Sequence, residues 1–322
     1  TWLRRQRQMC IRDRPTLIEQ WMEEGELPEL AKLKSDGSYG RLANFDMYTA
    51  ELPWTTFATG VMPEKTGYWT PLTYSDDYTV NTRAAYEYDE YPAFFALGEK
   101  YRVCSFDIPQ IRLQKDLNGW QFNSWGAHSP QVKIESNVPG IYQEIFEKYG
   151  NHPGLHDDYS LTLDLQGASK VYSKLIEGIN RRADICTDLI QREQWDLFIT
   201  VFGETHGGGH NFWQFQPDHP LFSANIPNRE LLPDSPLKDI YKAIDSAIGK
   251  IIRSAPEGSE IIIFSAHGMG PNTMDLPSTF FLPEFLYRYS FDRPALGEIS
   301  NISEPVGAPI TQMTWGTWER HV

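Results

Sequence analysis

Two short stretches of this chain carry histidines at spacings that suit metal binding. Glu204-Thr205-His206-Gly207-Gly208-Gly209-His210 sets two imidazoles four residues apart. Imidazole is a common zinc ligand, and Glu204 is placed either to coordinate the ion or to orient a ring. Two His four apart can share a helix face, as in zinc proteases. Three consecutive Gly disfavour a helix, however, and the Glu that directly follows the first His in those proteases is absent here. The stretch is therefore expected to be a loop that turns both rings onto one ion. Ser265-Ala266-His267-Gly268-Met269-Gly270 ends an Ile-rich run, so His267 can point into a cleft as a metal ligand or a partner of a substrate oxyanion. Each stretch alone has a plainer reading, a Gly-rich turn with surface His or a satisfied structural His. Together they make a candidate three-His site.

A third stretch, Thr49-Ala50-Glu51-Leu52-Pro53-Trp54-Thr55-Thr56-Phe57-Ala58-Thr59-Gly60, has Pro at a helix start and Gly at its end. A helix N-terminus offers free N–H groups and a partial positive charge, which suit an anionic ester. A hydroxyl just before it, that of Thr49, can act as a metal-activated nucleophile. Thr55, Thr56 and Thr59 read as capping and packing residues. Trp54 is a candidate substrate contact: an aromatic content of 13% with ten Trp reads plainly as a bulky core, and alternatively as partly lining a pocket for a flat or sugar-bearing substrate. For His128, in Trp-Gly-Ala-His, two readings stay open: a surface loop residue, or a group that reaches the leaving group.

The elements that must position these residues follow from periodicity. Leu17, Ile18, Trp21 and Met22 mark a first helix; Gly25-Glu26-Leu27-Pro28 breaks it, and a second short helix stops at Gly37. Tyr39–Phe45 and Val103–Ile108 read as strands. Val171, Leu175, Ile179, Ala183, Cys186 and Ile190 recur at helical spacing, as do Leu237, Ile240, Ile244, Ile248 and Ile252. Asp196–Phe202 and Glu260–Ser265 read as buried strands on either side of the second helix. Strand, crossover helix, strand is a βαβ unit and predicts an α/β fold, a mostly parallel sheet sandwiched by helices. Both His stretches then follow the carboxyl ends of strands, where such sheets place ligands. Loops and a cap inserted at about 70–165 are expected over that face.

The formal net charge of -14 disfavours long nucleic acid as a partner. It leaves room for a small phosphorylated ester, because a bound divalent cation reverses the local sign. No run is apolar enough for a membrane span. The three cysteines form no C-x-x-C pair and no disulfide scaffold. Residues 1–14 hold five of the 29 basic residues and one acid. They resemble translated adaptor sequence and are set apart from the fold. Without them 24 basic residues face 42 acidic ones, or -18. Residues 15–322 are expected to be a single domain truncated at both ends, soluble and cytoplasmic by default, with an upstream signal peptide left open. The oligomeric state is not legible.

From about residue 17 to 289 the chain resembles the type I phosphodiesterase/nucleotide pyrophosphatase family of the alkaline phosphatase superfamily. LPWTTFATGVMPEKTGYW resembles the family's nucleophile segment, and ELPELAKLKSDGSYGRL the segment leading to it. FGETHGGGHNFW is similar to its Asp-x-x-x-His loop, and FSAHGMGPN to its Asp-His-Gly loop. The resemblance implies two divalent metal ions, usually zinc, and hydrolysis of phosphodiesters or related phosphate or sulfate esters. By position His206 stands where the first Asp would be, His210 matches the loop His, and His267 matches the His of Asp-His-Gly. The departures are specific. Ala266 replaces the second Asp. The nucleophile position, counted back from Gly60, falls on Ala50, one residue after Thr49. The first-strand Asp has no counterpart. One ion at His206 and His210, with Glu204 or Glu51 completing a rebuilt site, is thus as compatible as two, and the truncated chain is expected to be inactive. The alternative is a catalytically degenerate descendant that keeps the fold and one metal. A hydrolase of carbohydrates with paired carboxylates ranks last, since no positioned pair is visible.

Overall fold

The computed structural model describes residues 15–42, 52–69, 72–74, 80–82, 90–126, 133–154, 165–217, 219, 229–265 and 276–293. The first two helices form as their spacing predicts, α1 (Pro15–Glu23) and α2 (Pro28–Asp36), with Gly37 ending the second. The Pro-started segment forms α3 (Leu52–Thr59), followed by a single turn, α4 (Pro63–Thr66). A short antiparallel pair follows, β1 (Leu72–Tyr74) and β2 (Val80–Thr82). The main sheet is built from β3 (Gly98–Phe106), β4 (Leu117–Asn123), β5 (Glu135–Ser136) and β6 (Leu197–Thr200). Its order is β5-β4-β3-β6; β3 runs parallel to both β4 and β6, and β5 is antiparallel to β4. Three of these strands lie within 70–165, so much of the stretch expected as a cap belongs to the sheet.

The period of two in β3 decides what covers each face. Cys104 and Phe106 pack with Trp120, Phe122 and Trp125 against Ile185, Cys186 and Leu189 of the long helix α6 (Leu165–Arg192). Val103 points the other way and packs with Leu117, Ile108 and Ala58 of α3. The sheet is therefore sandwiched. Behind α6 lies a second apolar layer, where α1, α7 (Glu204–Phe212) and α8 (Pro236–Ser254) bring together Trp21, Leu27, Leu175, Ile179, Phe212 and Ile240. The crossover helices thus follow the predicted apolar stripes, α6 over 171–190 and α8 over 237–252. The chain ends its described part with α9 (Leu276–Phe291).

Three expectations are corrected. Tyr39–Leu42, the described part of the expected strand over Tyr39–Phe45, is exposed and not extended into a ladder. Glu260–Ser265 forms no strand either. Its Ile262 is 83% exposed, and Ile261, Ile263 and Phe264 are exposed as well. Strand propensity needs a paired edge to be realised, and among the described residues β6 pairs only with β3. The third correction is Glu204–His210, expected as a loop, which is the first part of α7. Each Gly there costs about 1 kcal/mol against Ala in a helix. Packing against α8 offsets that cost: a Cβ on Gly208 would stand 3.0 Å from Cδ1 of Ile240, closer than an ordinary contact, so the glycine lets Ile240 seat against α7 without shifting.

Two positions test this architecture. Gly119 of β4 has φ +140° and faces Val103, whose carbonyl a Cβ would strike. Gly119→Ala is expected to cost more than about 2 kcal/mol, read as a lowered urea midpoint. Asp188 on α6 accepts from Arg192 Nε (2.8 Å), Lys148 Nζ (3.0 Å) and Tyr149 OH (2.9 Å), joining α6 to α5 (Pro139–Tyr149). Partial burial would raise its carboxyl pKa, but these donors hold it at about 2, below the ordinary 3.8. A depressed folded-state pKa stabilises above the unfolded value and ceases to as pH falls through the folded one. The Tm advantage of wild type over Asp188→Asn is therefore expected in full above about pH 5 and to vanish near pH 2.

Candidate active site

β6 delivers the chain to the carboxyl edge of the sheet, and α7 begins four residues later. Because α7 is helical, His206 and His210 lie one turn apart on one face. Their ring centroids are 4.5 Å apart at an interplanar angle of 71°. His206 is half-buried and His210 exposed. The loop geometry expected for this pair is therefore replaced by the helical one.

Glu204, the first residue of α7, is turned the other way and fully buried. Its Oε1 accepts from Arg182 Nε at 3.0 Å and lies 3.1 Å from His152 Nε2. The Gly154 N–H donates to His152 Nδ1 at 3.1 Å. That acceptor role assigns the ring proton to Nε2, which donates to Glu204. The ring that Glu204 orients is thus His152. Burial would raise the Glu204 carboxyl pKa, yet the Arg182 charge and the His152 hydrogen bond bring it down to about 2.

Arg182 is the centre of this cluster and is itself fully buried. Its Nη1 stands 2.8 Å from Asp107 Oδ2, and the same oxygen accepts the Gly126 N–H at 2.9 Å. Desolvation would lower the guanidinium pKa, but Glu204 and Asp107 more than offset it, so the group stays charged. The rings of Trp125, Phe106 and Phe202 enclose it, with the guanidinium carbon 5.2 to 5.7 Å from their centroids. Asp107 follows β3 with φ 63°, in the left-handed region, so the strand end is bent to present its carboxylate.

Sequence reasoning missed Arg182 and His152, the partners of Glu204, and Asp107, the second partner of Arg182. A signal existed for Arg182, a charge set within the apolar stripe between Ile179 and Ala183, and for Asp107, an acid at a strand end. His152 gave none, because its burial depends on two distant glycines. A Cβ on Gly126 would collide with its ring, and so would one on Gly178 of α6.

Trp54 sits half-buried on α3, edge-on to Phe57 at 6.2 Å, and Phe57 in turn meets Phe94 and Phe264. Thr49, His128 and His267 lie outside the described residues. Imidazole is a donor type that divalent ions such as zinc accept. Among the described residues no group of three or more His, Cys, Asp or Glu is placed to hold a metal, so further donors would have to come from elsewhere in the chain.

A mostly parallel sheet sandwiched by helices, with paired imidazoles one helical turn apart at its carboxyl edge, defines an α/β protein, a class whose sheets place ligands at that edge. The family model for type I phosphodiesterase / nucleotide pyrophosphatase matches residues 14–293. The chain belongs to that family, in the alkaline phosphatase superfamily. No curated protein and no solved structure matches it.

The glycine cradle makes a test with opposite signs. In a helix, Gly→Ala ordinarily stabilises by up to about 1 kcal/mol, and Gly140→Ala on α5, where a Cβ meets nothing, is expected to be neutral or stabilising. Gly178→Ala is expected to destabilise by roughly 2 kcal/mol or more, because the new methyl displaces His152 from Glu204. Urea midpoints of the two variants check the contrast.

Proposed function

We propose that the chain is a metal-dependent hydrolase of phosphodiesters or related phosphate or sulfate esters. Membership of the family supports phosphoric ester hydrolysis. What carries the metal reading is the imidazole pair, two rings with centroids 4.5 Å apart on the helix that follows the strand end. His206 and His210 are the proposed ligands, with His267 a ligand of the same or a second ion or a contact to the ester oxyanion. A bound divalent ion, zinc by donor type, supplies Lewis-acid charge at the phosphoryl or sulfuryl group.

The chain's own part is positioning and transfer. Thr49, ahead of the N-terminus of α3, is the proposed nucleophile. Its Oγ gives up its proton to solvent and bonds to phosphorus as the P–O bond to the leaving oxygen breaks; water then adds at phosphorus, the Oγ–P bond breaks, and a proton from that water restores the hydroxyl. The first N–H groups of α3 face the anionic ester in this arrangement. His128 is the proposed proton donor to the leaving oxygen, and Trp54 a surface for the organic part of the substrate. The acidic surface, -14 overall, favours a small ester over a nucleic-acid polymer. No helix among the described residues is long and apolar enough to cross a membrane.

A second reading has its own support. Ala266 stands in the place of an Asp that the family uses, and no third ligand joins His206 and His210 among the described residues. The chain would then bind one ion or ester without turning it over.

A full-length homologue that carries both histidines is to be assayed with bis(p-nitrophenyl) phosphate, with zinc added and after chelation. Turnover that is abolished by chelation, restored by zinc and reduced at least about a hundredfold in His210→Ala is expected. Turnover indifferent to metal and to both histidines would overturn the proposal. Zinc binding without turnover of any phosphate or sulfate ester would establish the second reading.

A further inference from the structure

We infer that Arg182 is a positioning residue for the histidine pair: by clamping Glu204 to the end of β3, it sets the rotation of α7 and so the direction of His206 and His210. The inference rests on the metal reading of those two residues and adds the device that aims them.

The need for such a device follows from α7 itself. The helix has nine residues, three of them consecutive Gly, too short and too poor in propensity to hold its own rotation. Contacts from outside fix it: Phe212, its last residue, is buried in the layer behind α6, and two more act nearer its start. Gly208 seats against Ile240 of α8 and limits how far the helix can move toward that neighbour. Glu204 is locked at the opposite end, with Arg182 Nε at 3.0 Å and His152 Nε2 at 3.1 Å on the same oxygen.

Residues two apart on a helix are turned by about 200°. The buried face of Glu204 and the outer face of His206 are therefore one rigid turn seen from two sides. A rotation of about 20° about the helix axis would carry an imidazole some 5–6 Å from the axis through about 2 Å. Metal–nitrogen distances tolerate only about 0.2 Å. An unclamped first turn would thus carry the pair, relative to any donor outside α7, through far more than one coordination shell accepts.

Arg182 suits the task because its fork reaches two anchors at once. Nε meets Glu204, and Nη1 stands 2.8 Å from Asp107, which the Gly126 N–H also holds. The end of β3, the loop after β4 and the first turn of α7 are so joined through one planar group. Lysine could carry the charge but not the fork.

The test uses cobalt(II) as the probe, with the full chain, and reads the visible absorption of the bound ion and its affinity. Near-UV circular dichroism and Tm report folding in parallel. Wild type is expected to bind cobalt and His210→Ala to lose it. Arg182→Lys is expected to bind about 10 to 100 times more weakly and with an altered visible spectrum while remaining folded. Glu204→Gln, which keeps shape and acceptor but loses the charge that Arg182 grips, is expected to weaken binding in the same direction and serves if Arg182→Lys does not fold. If wild type and both variants bind with the same affinity and spectrum, even at a lowered Tm, the clamp is structural only and the inference is overturned while the metal reading stands. If wild type binds no cobalt, or His210→Ala binds it equally well, the metal reading fails and the positioning role with it.

Discussion

A single buried cation holds the carboxyl edge of this sheet together. Arg182 lies in the interior between two carboxylates, and neither carboxylate could be buried without it. Removing one member of such a cluster leaves an uncompensated charge in a low-dielectric interior, which is far costlier than the intact cluster is favourable. The cluster is therefore less a source of stability than a constraint. It permits one arrangement of β3, α6 and α7 and penalises others.

That constraint explains several features that look unrelated. Asp107 takes a left-handed backbone so that its carboxylate meets Arg182 and the Gly126 N–H. Gly126 and Gly178 lack side chains because His152 occupies the space where these would lie. Trp125 stands edge-on to the His152 ring at 5.1 Å and also faces the guanidinium. The network draws its parts from the end of β3, the loop after β4, the turn after α5, α6 and α7, and ion pairing carries it where hydrogen bonds do not: Arg182 Nη1 and Nη2, Asp107 Oδ1 and Glu204 Oε2 are buried without a hydrogen bond.

The chemistry proposed for the site depends on the same economy. The sheet offers an edge, the helix following β6 offers two imidazoles, and the buried anion at its first residue ties the two together. His206 and His210 face outward because Glu204 faces inward. The functional and the structural halves of the motif Glu204–His210 are thus opposite sides of one helical turn.

Much was determined by the sequence alone. Apolar spacing marked the buried stripes of α6 and α8, and a mostly parallel sheet sandwiched by helices was expected, although the second strand of the βαβ unit that predicted it did not form. The two histidines were visible from residue type and spacing. What only tertiary structure decided was conformation where local preference and packing disagree. Gly207–Gly209 became helix because α8 buries them; Ile261–Phe264 stayed out of the sheet because a strand exists only where an edge pairs with it. The partners of Glu204 lie 22, 52 and, through Arg182, 97 residues away, and nothing local encodes such distances. Burial of charge is decided by who meets whom in space, and a one-dimensional pattern records only that a charge sits on an apolar face.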